Sequence, residues 1–566
     1  MTASDHLPTA APTNAATSTA DTANPAPPKP QKQQALASSS DAPAALDLRL
    51  APPALAAWGT AWVAVTATGP GAWIKLALAC LAASLTALIL LQLTARFRPP
   101  RHRHDPRPGT EKLPTASMGS VSASLLLTAV AVVATLLVTS AQLAARQADP
   151  LTQAAAAGQP VTVVATLTQA PRPVIGGHGS VFTELQLQSV DGRPSCLTAR
   201  VIARGSWARL RMGEQIRLRT TLKPTQPGER AAVFITGAQA RALAPPSGLT
   251  GAVEGLRAQI RRVLEDLRPP GPAPPEGSRE LVLGLALGDD SALPVTLRED
   301  LRTVSLTHLT AVSGQHVAIV LGLVLPALGV LPRRIRALVG LLVLAVLVVL
   351  VRPGGSVLRA ATMGTVLLLG VALGRRSVAL PALFTGVLVL LLLDPWQARD
   401  YGFALSVVAT AAILLGARPL EAWLSRLLPP WLALALAIPL VAQLACAPLL
   451  VLLRPTWSPW AVLANVLAAP PVAVATVSGL VASLLAPVLP SLAGLLALPA
   501  LAGCAWIVAV ARWTAALPGA SLPWPAGLPG ALLLLGFEAA GVLAARRWWA
   551  WRRARRRRRQ ARLWEG

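Results

Sequence analysis

The chain has 566 residues, of which 53% are hydrophobic and only 13% charged, a balance too apolar for a soluble protein of ordinary composition. Its 51 basic against 25 acidic residues give a formal charge of +26, concentrated in loops and at the end of the chain where membrane-orientation signals lie, so the excess alone says nothing about nucleic acid. A soluble or singly anchored protein is excluded, because runs such as "ALVGLLVLAVLVVLV" and "ALFTGVLVLLLL" recur through the second half, each close to the ~20 residues that cross a hydrocarbon core.

Residues 1–50, rich in Ala, Pro, Thr, Ser and Gln and without periodicity, read as a disordered cytoplasmic tail with no signal peptide. Residues 51–145 hold three spans, near 54–68, 71–94 and 117–142, with the basic loop "RFRPPRHRHDPRPGTEK" between the second and third. Basic loops stay cytoplasmic. The amino terminus is therefore expected inside, and the region after the third span outside.

Residues 150–245 alternate in strand fashion in "VTVVATLTQ", "SVFTELQLQSV", "LTARVIARG", "EQIRLRTTL" and "RAAVFITG", with Gly and Pro turns between. Five short strands fit a small external all-β domain, OB-like in strand count and turn spacing. Arg200, Arg204, Trp207, Arg209, Arg217 and Arg219, with Arg193 and Arg211 beside them, supply charge and one ring for guiding a strand of nucleic acid. Rings are scarce in this region, so guidance by charge fits better than base stacking.

Across residues 250–305, "GAVEGLRAQIRRVLEDL" places Val253, Leu256, Ile260, Val263, Leu264 and Leu267 at helical spacing with Arg and Glu on the other side. That predicts an amphipathic helix at the outer membrane surface. A polar lead-in with Asp289, Asp290, Arg298, Glu299, Asp300 and Arg302 follows.

Residues 306–545 carry roughly nine more apolar segments, which makes the chain a polytopic α-helical membrane protein of about 12 spans. Under that count "RRIR" at 333–336, Arg375 with Arg376, Arg418 with Arg426 and the tail from Arg546 all fall on the cytoplasmic side, as do both termini. Reentrant or broken segments are expected near 337–351 and 460–486.

Polar groups at membrane depth cost free energy and usually face a bundle interior or a water path. In "HLTAVSGQHV" these are His308, Ser313, Gly314, Gln315 and His316, with Ser313 and His316 on neighbouring helical positions. Arg352, Ser356 and Arg359 share one helix face at i, i+4 and i+7, where guanidinium groups suit phosphate oxygens; Arg352 reads better as snorkelling to the interface. Asn465 in "LANVLAAPP" precedes two prolines expected to break the helix beside a cavity. Asp394 and Asp400 read as solvated loop charges. The tail at 546–566, "RRWWAWRRARRRRRQARLWEG", reads as a clamp on anionic lipid headgroups, with binding of an emerging strand as the alternative. Three of the four cysteines, Cys80, Cys446 and Cys504, lie in apolar segments, which leaves Cys196 alone in a soluble stretch and gives no disulfide framework or cysteine zinc site.

The order "RELVLGLALGDDSALPVTLREDLRTVSLTHLTAVSGQHVAIV", "SVLRAATMG", "DYGFALSVVATAAILL" and "AVLANVLAAPPVAV" resembles the ComEC family of natural-competence proteins. The resemblance implies a channel through which one strand of imported DNA enters the cytoplasm, and it implies a separate DNA receptor, nuclease and cytoplasmic motor as partners beside membrane lipids. It puts the protein in the bacterial cytoplasmic membrane. Two positions depart from the pattern: Gln315 where many members have a hydrophobic residue, and Ala404 where many have Gln. Many members also carry a carboxy-terminal metallo-β-lactamase-like domain. Six histidines without a His-x-His-x-Asp-His cluster cannot build its two-metal site, so no nuclease, metal or cofactor is expected.

Two other readings stay open. One is a membrane-embedded hydrolase using Ser313 and His316, or a metal held by His308 and His316, although no HExxH motif or third ligand is present. The other is a transporter of another polyanionic envelope substrate, which the same arginines would serve. No Walker A sequence occurs in the chain, so ATP hydrolysis by this polypeptide is not expected.

Overall fold

A computed structural model of the chain describes residues 47–67, 118–174, 179–237, 239–310, 313–351, 355–374 and 379–564. The tail at 1–46, the expected span at 71–94 with Cys80 and its basic loop, and Arg352, Arg375 and Arg376 lie outside these residues.

Helix α1 (Ala51–Ala64) is an alanine-rich element whose Ala54, Ala57 and Ala61 are fully buried. Its 14 residues span about 21 Å, less than a hydrocarbon core. Helix α2 (Met118–Ala148) packs beside it and runs past the expected end of its span. A short helix, α3 (Pro150–Ala157), starts on Asp149, whose Oδ1 accepts from the Leu151 N–H at 2.8 Å.

The expected strands form β1 (Pro160–Leu167), β2 (Val181–Val190), β3 (Thr198–Ala203), β4 (Gln215–Thr221) and β5 (Val233–Thr236), with a further β6 (Ala240–Ala244). They lie in the order β5, β3, β2, β1, β4, β6; β5 runs parallel to β3 and the other neighbours are antiparallel. Asp191 and Gly192 both have positive φ, as a tight hairpin turn with an Asp-Gly step requires. Alternate residues, among them Val163, Ala165, Leu185, Leu187, Ile216 and Leu218, point into one buried core.

Beyond the sheet come, among the described residues, α4 (Gly248–Asp266), α5 (Ser278–Leu287) and α6 (Val295–Thr303), then nine apolar helices: α7 (Gly314–Ala327), α8 (Arg333–Val351), α9 (Gly355–Ala372), α10 (Ala379–Leu393), α11 (Tyr401–Leu424), α12 (Pro430–Leu453), α13 (Ala461–Leu485), α14 (Pro490–Ala515) and α15 (Gly527–Trp564). Among the described residues seven helices, α2, α8 and α11 to α15, are long and apolar enough to cross a membrane, whereas α7, α9 and α10 are shorter. The protein is a polytopic helical membrane protein with a sheet-rich region in its amino-terminal half.

The segments expected to be short or broken are continuous instead: α8 has 19 residues and α13 has 25. Helix α13 passes through Pro470 and Pro471 because the freed backbone finds a partner. Proline 471 leaves the carbonyl of Leu467 without its helical donor, and Trp506 Nε1 on α14 donates to that oxygen at 2.8 Å. Small residues then let α13 and α14 approach closely: a Cβ on Gly503 would lie 3.1 Å from that of Ala475.

The amphipathic helix forms, with a packed apolar face. The apolar face of α4 packs on α5, α8, α13 and α14 rather than lying free at the membrane surface. Arg257, placed by the sequence on the polar face, shares the buried face with Val253, Ile260 and Leu264 and is 2% exposed. Its Nη2 donates to the carbonyls of Leu287 at 2.8 Å, Leu350 at 3.3 Å and Val351 at 3.5 Å, at the C-terminal ends of α5 and α8. Asp289 Oδ2 lies 3.9 Å from its Nη1 and 3.2 Å from Arg261 Nη2. Burial pushes the Arg257 guanidinium down to about 10, Asp289 opposes the shift and Arg261 adds to it, so the group stays charged at neutral pH.

Asp290, the next residue, joins the sheet to this core: Arg172 Nη2 lies 2.9 Å from its Oδ1, and Arg298 donates to its carbonyl at 2.7 Å. Removal of Arg257 would leave three carbonyls without their donor and Asp289 with Arg261 alone. Arg257→Met is expected to cost about 3–5 kcal/mol and the exposed-site control Arg262→Gln less than about 0.5 kcal/mol, read as thermal unfolding of detergent-purified protein. Matching midpoints for the two variants would contradict the role given to Arg257.

Candidate functional site

The quoted "SGQHV" begins α7. Ser313 is in extended conformation as its N-cap, and the backbone N–H of Ser313 donates to His316 Nδ1 at 2.9 Å. That bond makes Nδ1 an acceptor and puts the ring proton on Nε2. His316 is 2% exposed, and its Nε2 has no hydrogen-bond partner among the described residues. The result is a neutral imidazole with one buried donor unused. Ser313 Oγ also lies 3.1 Å from Nδ1, but that nitrogen is already occupied by the backbone donor, the geometry of a helix cap rather than of a free general base. Gly314 and Gln315 are exposed on the same turn. His308 is exposed too, and its Nδ1 lies 3.2 Å from the carbonyl of Ser305. Thus the structure brings Ser313 and His316 together and leaves His308 with Ser305.

Two glycines fix the approach to this turn. Gly284 lies so near the segment before α7 that a Cβ there would sit 2.7 Å from the Thr310 carbonyl. Gly288, at φ 68°, ends α5 and turns the chain toward Asp289 and Asp290.

Arg359 on α9 is 3% exposed, and its Nη2 donates to Ser356 Oγ at 2.8 Å. Its Nη1 lies 3.9 Å from Asp400 Oδ1, its guanidinium carbon lies 5.8 Å from the Phe403 ring centroid, and its Nε has no hydrogen-bond partner among the described residues. One strong hydrogen bond for five donors leaves this buried cation under-satisfied. Asp400 is not a merely solvated charge: its Oδ1 accepts from the Phe403 N–H at 2.6 Å and so starts α11. Asp394 is likewise engaged, accepting from the Trp396 N–H at 3.2 Å and lying 3.2 Å from Arg230 Nε of the sheet region. Asn465 bonds its own helix, Nδ2 donating to the Ala461 carbonyl at 2.8 Å, where a helix break was expected.

On the sheet, Trp207 is fully buried in the core and presents no stacking ring. Arg200 lies 3.6 Å from Glu184 and 3.1 Å from Glu229, and Arg204 Nε donates to Ser180 Oγ at 2.9 Å. Arg209, Arg217 and Arg219 are exposed, and none of them has an ion pair among the described residues. Strand pairing sets Arg241, which sequence reading missed, directly opposite Arg217. Like charges opposed across a ladder are unfavourable without an anion between them. No group of three or more His, Cys, Asp or Glu side chains that would hold a metal is found among the described residues.

Residues 285–551 match a family model described as "Competence protein". The chain is 30% identical over 173 residues to "ComE operon protein 3" of Bacillus subtilis (strain 168), a match covering 30% of this chain and 21% of that protein. The chain thus aligns with about a fifth of the length of that curated relative. No solved structure matches the chain.

Asp400 holds two jobs that substitution separates. Asp400→Asn keeps a good helix cap and removes the charge, whereas Asp400→Ala removes both; the Ala variant is expected to be about 1 kcal/mol less stable than the Asn variant. Thermal unfolding checks this, and equal stabilities would show that the cap contributes nothing.

Proposed function

Because the chain is a ComEC-family protein, we propose that it passes single-stranded DNA across the bacterial cytoplasmic membrane during natural transformation, as a channel without enzymatic activity of its own. The observation that carries this reading is Arg359: a guanidinium buried on a short apolar helix, with Nε unpartnered among the described residues and its carboxylate 3.9 Å away. Such a cation has unused capacity for a phosphate oxygen, which a passing strand supplies repeatedly. His316 adds a neutral donor, and His308, Ser313, Gly314 and Gln315 complete a polar rim at the start of α7.

The sheet is read as an external OB-like domain. Its support is the meander β1, β2, β3, with β4 beside β1 and β5 parallel to β3. Guidance of the strand falls to Arg209, Arg217 and Arg219 with Arg241, by charge rather than stacking, while Arg200 and Arg204 hold the domain together. Both termini are cytoplasmic in this reading, a separate receptor, nuclease and motor act with the channel, and the tail at 546–566 holds anionic lipid. Cys196 is an exposed free thiol, so a membrane-impermeant maleimide is expected to label it on intact cells; labelling only after lysis would reverse the orientation.

Arg359→Gln should lower DNA uptake at least tenfold per molecule, with membrane abundance retained, because the buried charge contributes to passage more than to packing. His316→Leu should have the smaller effect, since its ring is neutral. The measurement is uptake of labelled DNA in a deletion strain, normalised by immunoblot. Undiminished uptake per molecule in the Arg359 variant would remove the phosphate contact, and no requirement for the chain at all would remove the channel reading.

A further inference from the structure

Glu538 is the single acidic residue in the membrane-crossing stretch Gly527–Arg552 of α15. It stands 11 residues from Gly527 (538 − 527) and 14 from Arg552 (552 − 538), about 16 and 21 Å along the helix, and therefore near mid-membrane. Ala531 and Leu534 mark the packed face of α15: both are buried, and Leu534 clusters with Ala447 and Val451 of α12. Glu538 falls on that face at i+4 from Leu534 and i+7 from Ala531, and it is half-buried while Phe537 beside it is exposed.

The partners on offer are few. Thr456 and Trp457, just after α12, pair with Pro523 and Leu522, just before α15, so the two helices run antiparallel and Glu538 comes level with Gln443, one turn before Ala447. Helix α12 contains no Asp, Glu, Lys, Arg or His. Its titratable Cys446 is turned to α11, where Sγ lies 3.7 Å from the Leu405 carbonyl. Helix α11 reaches α15 through Trp423 against Trp549, with Arg418 and Glu421 at that far end. The nearest basic residue along α15 itself is Arg546, 8 residues on (546 − 538), about 12 Å. Glu538 has no ion pair and no hydrogen bond among the described residues.

A lone charge at this depth is costly, and among the described residues no cation is in reach to offset it. We propose that Glu538 is a proton-binding site within the last span, neutral when it holds a proton and facing the amide of Gln443. Its ligand is the proton itself, so the site stands or falls independently of the channel reading.

The test uses full-length protein in membranes and dicyclohexylcarbodiimide, an apolar reagent that adds to protonated carboxyl groups. One adduct mapped to Glu538 is expected, absent in Glu538→Gln, restored in Glu538→Asp, and falling severalfold as pH rises from about 6 to about 9, where ordinary carboxyl groups are already ionised. A water-soluble carbodiimide should leave Glu538 unmodified. Absence of the adduct in well-folded protein, equal labelling by the water-soluble reagent, or labelling indifferent to pH would each overturn the proposal.

Discussion

One guanidinium holds together the part of the chain where everything else meets. The C-terminal ends of α5 and α8 converge with partly negative, unsatisfied carbonyls, an arrangement that is unfavourable unless a donor or cation fills it. Arg257 fills it from a third helix, and the carboxylate of Asp289 lies 3.9 Å from the same group. Gly288 turns the chain so that Asp289 faces Arg257 and Asp290 faces the sheet, where Arg172 reaches it at 2.9 Å. Sheet docking is thus downstream of the helix-end junction. The downward shift of the Arg257 pKa means that desolvation outweighs its pairing, so replacing the whole cluster by apolar side chains need not destabilise the protein. What the charge supplies is a single way of assembling α4, α5 and α8.

Elsewhere the bundle is held by different means. In hydrocarbon, apolar side chains gain little from touching one another rather than lipid, so close packing of small residues and interhelical hydrogen bonds decide which helices pair. The contact of α13 and α14 combines both: Gly503 lies against Pro471 and Ala475, and Trp506 caps the carbonyl that Pro471 frees. A proline pair that would break a water-exposed helix becomes a recognition feature for its neighbour.

Much of the architecture was legible because it follows from period and punctuation. The five strands, the Gly- and Pro-bearing turns between them and, among the described residues, nine helices after Ser313 were marked by alternation, Gly and Pro, or long apolar runs. Continuity of α13 was not, because the group that satisfies Leu467 comes from Trp506, distant in sequence. Trp207, offered by the sequence as the one ring beside the guiding arginines, is instead the large side chain that fills a small sheet core. Arg257 was assigned to the polar face by its residue type, although its spacing from Val253, Ile260 and Leu264 already placed it with the apolar set. Asp400 lost its solvated reading to two partners, Phe403 and Arg359, that only folding brings to it.

The two buried arginines, Arg257 and Arg359, separate structure from function on physical grounds. Both are at most 3% exposed, and in both Nε is unpartnered among the described residues. The remaining nitrogens of Arg257 meet three carbonyls at the ends of two other helices and lie 3.9 Å from the Asp289 carboxylate. Those of Arg359 meet one hydroxyl from their own helix and one carboxylate, more than half exposed, that is already committed to capping α11. Burial of a cation with so few partners is expensive unless another anion visits it. An arginine whose terminal nitrogens meet the ends of several helices holds those helices in place, and one of equal burial that meets fewer partners is the better place to look for an anion in transit.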